Sequence, residues 1–506
     1  MSHVVTNDCC RVRHWGSDWQ HVTKCLCIGT VFLLHGCHVG PDFVRPPAPK
    51  VTAYTKTTPH LTPKNGEPSQ RLLQGKDIPA LWWQLFHSPS LNRMVEQGIK
   101  NSPTIDEARA KLAKAHESIL MARGSFYPQF DATLSAQREK GPPLAFGILS
   151  ANKIAIPTYN LYSLGPMVSF VPDVFGLTAR KVEQQVALAE NQAFQLAAAQ
   201  LSITGNIVVE TLTLASLRQQ IRLIEKIIAD DVKNLALVRQ RFSIGTIDRS
   251  DFLLAEEQLE RDRASLPPLK QQMTSAQDAL AILIGKSPAE WEAPYFELDE
   301  FTLPTDLPLV LPSTLVSQRP DILAAEAELH ASSAAIGIAV GNLLPQITLS
   351  SSLTPTALTP TALFNGANLA WDALAGVAVP IMHGGALRAQ KRAAIDDFQG
   401  AIATYRKTVL EGLRQVAGAL NALGHDAELV QAERRAFNVS ATTLSLQHAR
   451  LSVGTVDRLQ LLNTNRNYQQ ARLSYTRARA QRYLDSAQLI VALGGGWNSA
   501  PPHDPK

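Results

Sequence analysis

The sequence predicts a mainly α-helical chain that also carries part of a membrane β-barrel, is duplicated internally, and closes its barrel only with further copies. Three observations predict this. Residues 241–249 read Arg-Phe-Ser-Ile-Gly-Thr-Ile-Asp-Arg and residues 450–458 read Arg-Leu-Ser-Val-Gly-Thr-Val-Asp-Arg, six of nine identical at an offset of 209. No proline occurs from Asp173 to Leu266 or from Ile381 to Ala500, in a chain with 31. Two short segments alternate apolar with small polar residues, the period of a strand with one greasy face.

Of the 506 residues, 45% are hydrophobic and 18% charged, so the chain is neither disordered nor a simple polar scaffold. A net charge of +4 on this length is close to balance and argues against a nucleic-acid partner. All five cysteines (Cys9, Cys10, Cys25, Cys27 and Cys37) lie at the start, which excludes a disulfide scaffold or a cysteine-based zinc site in the body. Cysteine avoidance after that point fits an oxidising compartment.

Residues 1–36 read as a signal peptide. The apolar stretch Cys25–Leu34 follows Lys24, is too short to span a bilayer, and ends Leu34-His35-Gly36-Cys37, similar to a bacterial lipoprotein box. His35 departs from the small residue usual there. No other uncharged apolar run reaches helical spanning length, so a membrane crossing must use strands. Residues 37–90 form an anchor and leader; eight prolines between 41 and 79 make much of it an extended strap.

The repeats span 91–285 and 319–494, separated by a linker at 286–318 and followed by a tail, 495–506. Each opens with a helical segment, 91–125 and then 319–342. The hairpin regions are 126–173 and 344–381. In the first, Phe130, Ala132, Leu134 and Ala136 alternate with Asp131, Thr133, Ser135 and Gln137; in the second, Ile347, Leu349 and Leu353 alternate with Thr348, Ser350 and Ser352. Loops rich in Pro, Gly, Asn and Thr precede the returning strands at 161–172 and 370–381, where Tyr162 and Trp371 suit an interfacial aromatic girdle or ordinary packing between strands. Long helices follow. Between Gly176 and Gly245 only Gly205 interrupts, and a helix of that length would reach about 100 Å. The Gly-Thr turns at 243–248 and 452–457 end these helices, and second helices return over 248–285 and 457–490.

Four strands cannot close a barrel around water, and open edges are forbidden in lipid. Three copies giving twelve strands is the simplest closure. Helical pairs this long must likewise stack on copies of themselves, as a coiled-coil stack or tube.

The chain resembles the TolC-like outer-membrane efflux family, in its lipidated OprM/NodT-type branch. The residues that carry the resemblance are Cys37 with Val39-Gly-Pro-Asp-Phe43, Trp82-Trp83-Gln-Leu-Phe86 and Arg319-Pro-Asp-Ile322 with Ala325-Glu326. They continue with Leu344-Pro345, Pro380 with Gly384-Gly385, the two Gly-Thr turns and Leu493-Gly-Gly-Gly-Trp497. The resemblance implies a homotrimer with a twelve-stranded outer-membrane barrel continued by a long α-helical barrel into the periplasm. It implies the exit duct of a tripartite, RND-type efflux system, working with a periplasmic adaptor protein and an inner-membrane transporter, without a cofactor or catalysis.

Cys37 resembles the lipid-bearing cysteine that would anchor the chain in outer-membrane lipid. Ile244, Gly245 and Thr246, with Val453, Gly454 and Thr455, resemble the tips that meet the adaptor; the glycines also simply end helices. Gate aspartates of related proteins align with Gln460 and Asn463, and amides keep hydrogen bonding but lose charge. Asp457, Asp248 and Asp251 could supply charge nearby or serve as helix-start residues. The expectation is a closed tip held by Gln460 and Asn463, with Asp457 or Asp248 paired to Arg458 or Arg249. Motifs for phosphate binding, zinc hydrolysis or a serine nucleophile are missing from the sequence, so no enzyme is expected. A secretion duct for protein or oligosaccharide shares every feature above. A periplasmic adaptor lipoprotein would share the long helices but has no use for duplicated strands.

Overall fold

The computed structural model describes residues 39–57, 61, 69–140 and 158–497; the signal peptide and Cys37 lie outside the described residues. The described chain forms two compact units, one of 39–43, 118–186 and 331–398, the other of 44–117, 187–330 and 399–497.

The first unit holds an antiparallel sheet of β2 (Gln129–Glu139), β3 (Tyr159–Phe170), β5 (Gln346–Leu353) and β7 (Trp371–Ala378), in that order, with the two-residue β6 (Thr356–Ala357) also on β3. Register follows from alternation. Phe130 opposes Val168 and Leu134 opposes Leu164, while Ser135 opposes Ser163 with their hydroxyls 2.6 Å apart. Phe170 opposes Leu349, and Leu353 opposes Trp371. Opposed residues share a face, so Phe130, Leu134, Tyr162, Val168, Leu349, Trp371 and Val377 lie on one side with Ser351 among them, and Ser135, Ser163, Ser350 and Ser352 lie on the other. That greasy side is largely exposed: Phe130, Leu134, Leu353, Trp371 and Val377 are all open to their surroundings. Tyr162 and Trp371 stand on this same face, as a girdle requires.

A clamp in this unit holds the leader. The buried Arg180 donates from Nε to the Val39 carbonyl at 2.9 Å and forms ion pairs with Asp42 at 2.6 Å and Glu183 at 2.7 Å. Gly40, at φ 88°, lies so close to Gly337 that a Cβ would stand 2.4 Å from the Gly337 Cα.

In the second unit, β1 (Arg71–Gln74) pairs in parallel with β4 (Asp306–Leu309), joining the leader to the linker. Prolines and polar residues hide this pairing in the sequence. The Trp82–Phe86 segment forms a 3-10 turn whose Trp82, Trp83 and Phe86 are buried against Leu91, Ile207, Phe296 and Tyr483.

The helical segment expected over 91–125 is two helices, α1 (Pro89–Asn101) and α2 (Pro103–Gly124). Ser102 is extended because the residue before a proline avoids the helical region. The same break recurs at Arg319, between α5 (Pro312–Gln318) and α6 (Pro320–Gly341). The long helices are α3 (Leu177–Ser243) and α7 (Ala386–Ser452); the returning ones are α4 (Arg249–Leu283) and α8 (Arg458–Ala492). α4 runs through Pro267 and Pro268, although each ring removes a backbone donor. Gly205 is needed because a Cβ there would meet Val491 Cγ2 at 2.8 Å. Residues 495–497 pack rather than trail: the Trp497 indole donates to the Gln318 carbonyl at 2.6 Å.

A buried polar cluster ties the leader to α8. Arg482 donates from Nε to Gln70 Oε1 at 2.8 Å, and Gln70 donates to the Pro304 carbonyl at 2.9 Å and to Ser486 at 2.8 Å. Asp426 on α7 shares a hydrogen bond with Asp485 on α8. Burial, that bond and the Asp485 charge push Asp426 up to about 8, against the pull of Arg482. A raised folded value means protonation favours the folded state. The stability it supplies is complete below about pH 4, the unfolded value, and is lost as pH rises to about 8. Melting temperature of the detergent-extracted protein should therefore fall across that window and level off above it. Asp426→Asn, which cannot ionise, should flatten the slope; an unchanged slope would remove Asp426 as its source.

Candidate functional site

The two helix turns have the same construction. At the first, the Thr246 N–H donates to the Arg241 carbonyl at 3.0 Å and the Gly245 N–H to Phe242 at 3.0 Å. At the second, Thr455 donates to Arg450 at 2.9 Å and Gly454 to Leu451 at 3.1 Å. These paired bonds are the Schellman stop, which needs a left-handed residue, and Gly245 and Gly454 sit at φ 73° and 74°. The Thr246 and Thr455 hydroxyls donate again to the same Arg carbonyls, at 2.9 and 3.0 Å. Threonine after glycine thus satisfies a helix-end carbonyl twice. Nothing lies within 4 Å of a Cβ at either glycine, so backbone angle alone demands it. Ile244 and Val453 are left exposed at the apices.

The apices differ in one respect. Phe242 and Phe252 stack at 5.7 Å with the Arg239 guanidinium 5.8 Å from the Phe252 ring, where the second repeat has Leu451 and Leu461.

The five residues proposed for a gate separate into two groups. Asp457 caps α8, accepting from the Gln460 N–H at 2.7 Å, and forms an ion pair with Arg241 at 2.9 Å. Its cation is therefore Arg241 at the end of α3, not the adjacent Arg458. The helix-start geometry points the Asp457 side chain back at its own first turn and across to α3. The Gln460 N–H bond first, and Arg241 second, hold the Asp457 carboxyl below its usual range. Asn463 accepts from Asn234 Nδ2 at 3.2 Å, also across to α3. Gln460 is exposed. Asp248 and Asp251 stand exposed at the start of α4, and Asp248 makes no side-chain cap.

Further along the same seam, Asn465 donates to Asp230 at 2.5 Å, and Arg466 reaches Asp231 at 3.4 Å and Asp262 on α4 at 3.0 Å. Burial, the hydrogen bond its protonated carboxyl donates to Asp262 and the Asp262 charge push Asp231 up to about 7. Asp262 is desolvated too, yet the bonds to Asp231, Gln258 and Arg466 hold it below its usual value. Sequence reading missed this seam. Arg241 was visible as the first residue of the repeated nonapeptide, but its partner lies on another helix.

The profile of the outer membrane efflux protein family matches residues 94–286 and 311–495. The chain belongs to the outer membrane efflux protein family. It is 27% identical over 473 residues to outer membrane protein OprJ of Pseudomonas aeruginosa, covering 92% of this chain and 94% of OprJ. It is 28% identical over 425 residues to the pyoverdine export outer membrane protein OpmQ of the same organism, covering 83% and 88%. The solved outer-membrane channel OprN superposes with a TM-score of 0.79 at 27% identity, covering 91% of this chain and all of that one. This efflux protein is accordingly an outer-membrane channel with a periplasmic helical part, and it does no catalysis. The two matched segments correspond to the two copies of the internal repeat.

Proposed function

We propose that this channel is the exit duct of a tripartite efflux system. It assembles as a homotrimer and passively conducts small molecules outward from an inner-membrane transporter and periplasmic adaptor. One observation carries the trimer: among the described residues, β2 and β7 each leave one edge unpaired in a sheet of four full strands. Unpaired backbone groups in lipid cost several kcal/mol each, and three copies joined edge to edge give a closed twelve-stranded wall. The small-molecule class is supported by OpmQ, a relative named for the export of pyoverdine.

In this reading Ile244, Gly245, Thr246, Val453, Gly454 and Thr455 form the adaptor-facing apices. Their exposed apolar side chains on rigid Schellman turns suit docking against helical hairpins. The gate is the α3–α8 seam, Arg241–Asp457 and Asn234–Asn463, with Gln460, Asp248 and Asp251 beside it. Cys37 carries the lipid, two residues ahead of the Arg180 clamp on Val39 and Asp42.

The test is native mass spectrometry of protein extracted from the outer-membrane fraction in mild detergent. Three chains, each beginning at an acylated Cys37, are expected. A monomer would overturn the edge-closure argument, and an unacylated start upstream of Cys37 would remove the anchor.

A further inference from the structure

Near the tip, the seam described above joins α3 to α8 within one chain through three polar rungs, Arg241–Asp457, Asn234–Asn463 and Asp230–Asn465. In the long helix pairs the internal duplication carries each residue of the first repeat onto one 209 positions later. That shift moves α3 onto α7, and its inverse moves α8 onto α4. It takes Arg241 to Arg450 and Asp457 to Asp248, the same residue types at the same places in the repeated nonapeptide. Yet Arg450 and Asp248 are exposed and show no ion pair among the described residues.

We propose that the two are halves of one contact completed by a second copy, Arg450 pairing with Asp248 of the next chain. This rests on the trimeric reading. If the repeats alternate around a ring, whatever joins α3 to α8 inside a chain must be matched by α7 against α4 between chains.

Half of each remaining rung changes in kind at the second seam: Asp230 becomes Val439 and Asn463 becomes Leu254, while their partners Asn465 and Asn234 become Glu256 and Thr443 and Leu237 remains leucine as Leu446. Val439 is 67% exposed, Leu446 60% and Leu254 62% in the isolated chain. Val439 and Leu446 stand seven residues apart on α7, the spacing of a coiled-coil contact. Exposed apolar stripes of this kind mark surfaces that are covered in the assembly. Near the tip the seam between copies therefore carries Val439 and Leu254 where the seam inside a chain is polar, and each is closed at the apex by one Arg–Asp pair.

Cysteine cross-linking tests this on the full-length, membrane-extracted protein, whose chain has no cysteine after Cys37. Arg450→Cys with Asp248→Cys, treated with a short bifunctional thiol reagent, should give dimer and trimer bands on a denaturing gel. The reagent spans an Arg–Asp separation that a direct disulfide cannot. Arg241→Cys with Asp457→Cys should give only an internally linked monomer. Native mass spectrometry on the same samples separates the two levels of inference. Intact trimers without cross-linked bands overturn the inter-copy seam and leave the trimer standing; absence of trimers overturns both. Bands of equal strength in either single-cysteine variant would also overturn it.

Discussion

Gly165→Val is expected to remove the channel from the outer membrane. Gly165 lies in β3, opposite Thr133, at the point where the second ladder of β3 is interrupted. On that side β3 pairs with β5 from Met167 onward and with β6 at Tyr162 and Ser163. Between them the chain at Leu353–Thr354 crosses directly over Gly165. A Cβ there would stand 1.9 Å from the Leu353 oxygen, 2.9 Å from its carbonyl carbon and 3.0 Å from the Thr354 Cα. All three are backbone atoms, so no rotamer change relieves the clash. Pro166 is tolerated beside it because no ladder donor is needed at the gap. Relief requires β3 and β5 to separate, which leaves backbone groups unpaired where water cannot reach them. Fractionation and immunoblotting should show loss of trimer from the outer membrane. Gly376→Ala in β7 is the control, since its Cβ meets nothing within 4 Å. Normal assembly of Gly165→Val would show that the β3–β5 crossing is looser than described.

The second large effect is expected at Asp457. An exposed ion pair contributes only about 0–1 kcal/mol, but Asp457 also caps α8, and loss of an N-cap costs about 1 kcal/mol. Asp457→Arg removes both and sets two guanidinium groups against each other across the seam. If the seam is the gate, a change of about 1.4 kcal/mol is tenfold in the closed-to-open ratio. Single-channel recordings should therefore show roughly tenfold more open time. Asp457→Asn retains a capping side chain of equal quality and should shift the ratio only slightly. Adding Arg241→Asp to Asp457→Arg should restore much of the closure by reversing the pair. An open time for Asp457→Arg equal to that of the parent would place the gate elsewhere. The Asp457 carboxyl is held below its usual range, so its contribution is present at neutral pH and is lost only as pH falls through that lowered value. Asp231, raised to about 7, acts in the opposite sense on stability: its protonated form is favoured by burial and by the bond to Asp262 on α4, and that contribution is lost as pH rises through 7.

The sheet and the tips were legible because each is governed by local rules. Alternation fixed which strand residues share a face, and the described register places Phe130, Leu134 and Leu349 together as that alternation requires. Glycine in a repeated helix-end motif fixed the turns, since only a left-handed residue completes the Schellman bonds. Pro103 and Pro320 carried a readable signal as well: both break helices that the apolar periodicity alone would have run together.

The duplication, the strand faces and the helix ends were determined by the sequence itself, because each depends on neighbours a few residues away or on comparing one half with the other. Only the tertiary structure decided that Asp457 meets Arg241, that β1 pairs with β4, and that Arg482 holds Gln70 beside an aspartate pair. Those choices depend on which faces of long helices meet. Helices with small and apolar residues on several sides offer many ways to pack, and the pairing is settled by contacts between residues hundreds of positions apart.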